Sequence, residues 1–338
     1  MTKQDSIVRL LIIICLTLAL AGITQKLGAA PCEEGCGSAP SSQLQSSGLT
    51  ASWHYTLTAR VRLLLFWISR EGVGGGRIAL TEGTDGSKGV ELLIGSDPAR
   101  APMRINRWGY VSESIAGSSA QLLGVMTASD EQSIEQAKAG VTRPGTFHKF
   151  KAIRGSVSEN HAQSTIIQLL LSNEFTYRDL DALLHQLPQT GTATRQTHIP
   201  NGTEPGFLIA LKNLVHNNVE SYRRSGRVAA GQYVRRNYVY DATLYELTQK
   251  SCRFLPELAA NNRMYRSVLE SEFEARNTRT GEISRFSLTY GTQDLVAETP
   301  IRIVYRPRWW FEAELMLDTG VKPVEVAERG LPWKPGSK

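Results

Sequence analysis

The chain is poor in the patterns that carry familiar chemistry. Gly-x-Ser-x-Gly does not occur, nor does His-Glu-x-x-His or Cys-x-x-Cys. These absences exclude the nucleophile elbow of α/β-hydrolases and the common zinc spacings. No catalytic motif is present, and no cofactor or metal is implied. Cysteine is scarce, at 4 in 338 residues. No recognised nucleic-acid module occurs, and the +6 net charge is mild for this length, so nucleic acid is not an expected partner. There is no internal repeat and no βαβ rhythm, which argues against a doubly wound parallel sheet.

Long apolar runs are also missing, with one exception at the start. Residues 1–9, MTKQDSIVR, carry Lys3 and Arg9, and Leu10–Leu18 (LLIIICLTL) is strongly apolar. Ala19-Leu20-Ala21 then gives a small-x-small pattern. This order reads as a secretory signal over residues 1–21, with a second cut site after Ala30 as an alternative. The run reaches at most Ile23, short of the ~20 residues of a membrane-spanning helix. The expected product is exported, periplasmic or secreted, and has no transmembrane segment after cleavage. Cleavage removes Lys3, Arg9 and Asp5 and leaves 36 basic against 31 acidic residues, net +5. That balance permits contact with anionic surfaces without demanding it.

Cys15 leaves with the signal, so the mature chain keeps Cys32, Cys36 and Cys252. These are the disulfide candidates outside the cytoplasm. Three is odd, so one thiol stays free or pairs elsewhere.

Residues 22–50 read as a flexible leader, rich in Ser, Gly and Pro from Pro31 on. Order begins at Trp53. In Trp53–Ile68 the odd positions from Trp53 to Trp67 are apolar, while His54, Thr56, Thr58, Arg60 and Arg62 are polar. This period-two pattern predicts one long strand. Gly72–Gly76 is expected to be a hairpin turn, because no helix or Gly-Lys-Ser/Thr ending follows to make it a phosphate loop. Strands are expected at Arg77–Thr81, Val90–Ile94, Ala120–Thr127, His148–Val157 and Thr165–Leu171. Gln232–Leu247, Met264–Ala275, Ile283–Tyr290, Ile301–Tyr305 and Trp309–Leu317 are expected to follow.

Three helices are expected. The first runs from Ser129 to Gly140. The second is capped by Thr176 and carries Leu180, Leu183, Leu184 and Leu187. The third starts near Pro205, with Leu208, Leu211, Val215, Val219 and Tyr222 on one stripe. Residues 188–204 read as a polar linker loop. The organisation is therefore a β-rich domain over 51–187, that linker, a helix plus C-terminal β-meander over 205–319, and a flexible tail over 320–338. The fold class is β-rich α+β: a curved antiparallel sheet, or two, or an incomplete β-barrel, with about three covering helices.

The most unusual stretch carries Arg100, Arg104, Arg107 and Trp108, framed by Pro98, Pro102 and Gly109. Guanidinium groups clamp carboxylates and phosphates, and an indole packs on an apolar tail. These four are the candidate ligand-binding residues, against the more ordinary reading of a loop with paired arginines and a core Trp. Asp181 with His185, and His216 with Glu220, sit at i, i+4 and read as surface ion pairs. The outline of signal, long twisted strands and a few helices resembles periplasmic half-barrel proteins that handle lipids or lipoproteins. That likeness is one of architecture. Three functions compete: a non-enzymatic envelope protein binding an amphiphilic or anionic ligand, a structural or protein-interaction module, and a hydrolase with an unfamiliar site. Lipid or another envelope protein is the expected partner.

Overall fold

The computed structural model describes residues 47–63, 66–101, 106–127, 147–172, 174–188, 190–228, 233–308 and 311–318. The strands of the first half are β1 (Ser47–Leu63), β2 (Phe66–Gly83), β3 (Lys88–Ser96), β4 (Trp108–Ala116), β5 (Ser119–Thr127), β6 (Phe147–Ser158), β7 (His161–Ser172) and β8 (Ala193–His198). Those of the second are β9 (Val234–Tyr240), β10 (Thr243–Ala260), β11 (Arg263–Asn277), β12 (Ile283–Gly291), β13 (Pro300–Arg308) and β14 (Phe311–Leu317). Two α-helices, α1 (Leu180–Gln186) and α2 (Phe207–Ser225), join them.

All fourteen strands belong to one antiparallel sheet, in the order β8 to β1 followed by β14 to β9. The first described strand, β1, lies in the middle of the sheet; from it the chain meanders to one edge at β8 and crosses by α2 to the opposite edge at β9. It then meanders back until β14 lies beside β1, with Tyr55 opposite Leu317 and Val61 opposite Phe311. The expected β-rich, curved antiparallel sheet is what forms. It carries two α-helices among the described residues rather than about three. The helix expected over 129–140 lies outside those residues.

The sheet curls because its concave face has a helix to bury. One apolar cluster joins Val90, Leu122, Met126 and Ile153 of β3, β5 and β6 to Tyr238, Leu247, Phe273 and Leu288 of β9 to β12, around Phe207, Leu214 and Val219 of α2. Strands far apart in sheet order share this cluster, so the two wings wrap around α2. Burying each large apolar side chain contributes roughly 1.5–3 kcal/mol. The ladder does not close into a barrel. Glu204, beyond β8, makes a single bridge to Tyr238 of β9. Asp241 in the β9–β10 turn accepts Lys151 Nζ at 3.0 Å, Ser164 Oγ at 2.9 Å and Arg195 Nη1 at 3.0 Å. A carboxylate thus clasps β6, β7 and β8 to the far edge.

Helix α1 covers the convex face of one wing. Leu180, Leu183 and Leu187 pack with Leu93, Trp108, Tyr110, Val125, Phe150 and Ile167. Thr176 caps a single 3-10 turn that runs into α1, in a reciprocal capping box with Asp179.

Four local expectations are corrected. The alternating segment Trp53–Ile68 is two strands, not one, because Leu63 pairs with Phe66 at the end of the β1–β2 ladder. Gly72–Gly76 is not a hairpin turn: β2 runs through it, and the β1–β2 reversal falls between Leu63 and Phe66. A Cβ at Gly74 would lie 2.1 Å from the Gly95 carbonyl oxygen, so the glycines permit a close approach of β2 and β3 at a bend. Gln232–Leu247 is two strands, not one. The reversal at Asp241-Ala242 has φ of 50° and 45°, the left-handed pair that a tight hairpin needs. The polar segment 188–204 carries strand β8, which pairs with β7 from His198 opposite His161 to Ala193 opposite Ile166.

Candidate functional site

The concave face is not packed evenly. Backbone register sets Trp53, Ile78, Leu92 and Val111 directly opposite one another across β1, β2, β3 and β4. All four point inward and all four are only half-buried. One row along, Tyr55, Gly76, Ile94 and Gly109 are aligned in the same way, and the two glycines contribute no side chain. Across the interior, Phe286, Ile303 and Tyr305 of β12 and β13 are half-buried too, as is Leu211 of α2. By contrast, Leu57 and Leu269 on the same concave face are fully buried. Period-two patterning places apolar side chains inside. Their partial exposure means that α2 fills one part of the bowl and leaves an apolar wall on β1–β4 accessible.

Beside this wall lies a buried carboxylate. Glu113 is two residues beyond Val111 on the same face of β4 and is 1% exposed. Its Oε2 accepts the Ile209 N–H at 3.0 Å. Burial pushes its pKa up to about 7, against the lowering effect of the Ile209, Leu208 and Phe207 amides. Helix α2 starts at Gly206, which has no side-chain cap of its own, so a strand residue caps the helix. Tyr238 and Tyr240 of β9 complete the chamber, and burial raises both phenols well above their ordinary value.

Arg100 is exposed in the loop after β3, beside Gly72. Its neighbour Ala101 turns into the interior cluster with Val73 and Val268. Arg107 is 4% exposed, and its Nη1 donates to the Asn106 carbonyl at 3.1 Å. Trp108 is wholly buried on the convex face, with its ring 4.9 Å from that of Phe150. Arg104 lies outside the described residues. Arg100 is therefore an exposed loop residue one position before Ala101 of the interior cluster, and Trp108 belongs to the cluster under α1.

Cys252 is buried, with its Sγ 3.8 Å from the Tyr290 hydroxyl. That hydroxyl also meets Ser271 Oγ at 2.8 Å and accepts Asn218 Nδ2 of α2 at 2.9 Å. Burial pushes the Cys252 thiol up. Cys32 and Cys36 lie outside the described residues. His216 pairs with Glu298 at 2.9 Å rather than with Glu220, because Arg223 takes Glu220 at 3.0 Å. The His216 side chain is 54% exposed, so this contact belongs to the surface. His161 and His198 form an edge-to-face ring pair with centroids 5.4 Å apart, across β7 and β8. Among the described residues no three His, Cys, Asp or Glu side chains converge as metal ligands.

The convex face of β1 and β10 to β14 carries charge. Arg60 binds both Glu312 and Glu314, Arg302 binds Glu314, and Arg306 binds Glu312. Glu274 is surrounded by Lys250, Arg276 and Arg285.

Sequence reasoning missed Glu113 and Asp241. A signal for the first existed: a helix starting at Gly206 with no Ser, Thr, Asp or Asn in its first positions needs an external cap. Asp241 offered none, because it acts on strands 46 to 90 residues away.

No family model and no curated protein matches the chain. Among solved structures the chain is similar to the crystal structure of a β-barrel-like protein of a domain of unknown function from Brucella abortus. That similarity has 8% sequence identity and a TM-score of 0.42, over 81% of this chain and 98% of the other.

Proposed function

We propose that this chain is an exported, non-enzymatic envelope protein that holds an amphiphilic ligand against the concave face of its sheet. The observation that carries this reading is the half-buried row Trp53–Ile78–Leu92–Val111 inside an otherwise well-packed bowl. Apolar side chains left accessible in a concave site gain by covering themselves with an apolar guest. Arg100, one position before Ala101 of the interior cluster, supplies a cation for a carboxylate or phosphate head.

The distribution of charge supports a protein that works in water. A membrane-spanning β-barrel turns apolar residues outward and polar ones inward. Here the convex face carries the Arg60, Arg302, Arg306, Glu312 and Glu314 network, and the concave face carries the apolar core. Export rests on the N-terminal signal pattern.

The test is titration with N-phenyl-1-naphthylamine, followed by displacement with a long-chain fatty acid. Saturable binding and displacement are expected, and Ile78→Asp weakens the probe by at least about tenfold. Equal binding by wild type and variant refutes the site.

A second reading, a protein-interaction module, is favoured by one feature. Strand β8 pairs only with β7 among the described residues and is mostly exposed, so its outer edge is open to a partner strand.

A further inference from the structure

Among the described residues the concave face holds a buried carboxyl, Glu113, with no cationic partner, and that group is joined to the helix inside the bowl. Glu113 Oε2 takes the Ile209 N–H at 3.0 Å, inside the first turn of α2. The fit is close: a Cβ at residue 206 would lie 2.1 Å from Oε2. Gly206 is thus kept bare so that a carboxyl from β4 can reach the exposed helix amides, which otherwise lack acceptors.

We propose that Glu113 is a proton-operated latch that sets how firmly α2 is seated against β4 inside the curled sheet.

The groups around it are few. Its cross-strand neighbours are Val90 on β3 and Leu122 on β5, both apolar. From β9, Tyr238 and Tyr240 face it, and Tyr245 of β10 stacks on Tyr238 with centroids 5.2 Å apart. Phe207 of α2 packs on Tyr238 at 5.4 Å. Asp241 lies beyond Tyr240, and its carboxylate is already held by Lys151 and Arg195. The favourable partners of a charged Glu113 are therefore the N–H groups of Phe207, Leu208 and Ile209, with the positive end of the helix dipole behind them. Those do not offset removal of the carboxylate from water, and the group titrates near 7 instead of 4.5.

The sign follows. A carboxyl whose pKa is raised on folding binds its proton more tightly folded than unfolded. Its contribution to the seated state is complete below about 4.5 and is lost as pH rises through about 7. Above that, an ionised Glu113 is relieved when α2 shifts and admits water, so the helix loosens on the alkaline side. Leu211, one turn further along α2, lies half-buried on the bowl. Loosening there changes access to the apolar wall, a consequence that rests on the ligand-binding reading above, whereas the latch does not.

The experiment is amide hydrogen exchange of the full chain, read on peptides spanning the start of α2 and corrected for intrinsic rates. Between pH 5.5 and 8.5 protection of these amides in the wild type falls by at least tenfold, and in Glu113→Gln it stays level. Equal loss in both proteins, or level protection in the wild type, overturns the latch. Infrared titration of the wild-type carboxyl serves as a second measurement that needs no variant. A buried C=O band that disappears near pH 7 is expected, and loss at ordinary carboxylate pH refutes the assignment. Probe binding measured in the same samples separates the two readings. A pH-dependent α2 without probe binding sinks the ligand reading alone, and a level α2 overturns the latch whatever the probe does.

Discussion

Asp241 in the β9–β10 turn accepts Lys151 Nζ of β6 at 3.0 Å, so a single carboxylate holds together strands that lie near opposite edges of the fourteen-stranded sheet. Arg195 of β8 reaches the same oxygen at 3.0 Å. This clasp, together with the Glu204–Tyr238 bridge, makes the open sheet behave as a near-barrel.

Asp241→Asn tests the clasp without disturbing the turn, because Asn tolerates the left-handed φ of 50° as well as Asp does. The substitution leaves Lys151, whose side chain is 12% exposed, without its counter-charge. Breaking a buried pair from one side costs about 3–5 kcal/mol. Urea denaturation is expected to show a loss in that range. The exposed pair Arg253–Glu270 sets the contrast: Arg253→Ala is expected to cost under about 1 kcal/mol.

The glycine run of β2 should be intolerant of side chains at specific places. Gly74→Ala forces a methyl against the Gly95 backbone and is expected to destabilise by about 1–3 kcal/mol. At Gly48 an added Cβ meets only an ordinary contact at 3.7 Å, so Gly48→Ala is expected to be close to neutral. Thermal melts of the two variants side by side check this.

Gly206 and Glu113 should be coupled. Gly206→Ala pushes on the Glu113 carboxyl and costs stability, while in a Glu113→Ala background the same change is milder. A double-mutant cycle is expected to return an interaction energy of about 1–3 kcal/mol. Strictly additive effects would contradict the contact.

Much of this fold was legible in the pattern of residues. The alternation over Trp53–Ile68 marks β1 as far as Leu63 but runs on across the reversal into β2, and its inward set, Trp53, Tyr55 and Leu57, lines the concave face. The stripe of α2 was legible from Leu208, Val215 and Val219, all buried. The turns were harder. Gly72–Gly76 carries turn-type residues, yet its glycines answer to Gly95 on the neighbouring strand, a relation no local window contains. Asp241-Ala242 turns the chain without Gly or Pro, so no local breaker divided the strand expected over Gln232–Leu247. Of the Arg100–Trp108 stretch, Arg100 is exposed in the loop beside Gly72 while Trp108 belongs to the α1 side. Handedness of exposure within a loop depends on tertiary packing and cannot be counted off in steps of two.

Filling the groove should compete with ligand. Ile78→Trp adds bulk in the middle of the Trp53–Ile78–Leu92–Val111 row while staying apolar. Probe affinity is expected to fall at least about tenfold, with stability changed by no more than about 1–3 kcal/mol.

Native mass spectrometry of the processed protein, purified without detergent, bears most directly on the accessible apolar wall. The wild type is expected to carry a non-covalent adduct of lipid mass that the Ile78→Trp protein lacks. A bare polypeptide mass in the wild type, unchanged after incubation with phospholipid or fatty acid, would contradict a ligand-holding interior.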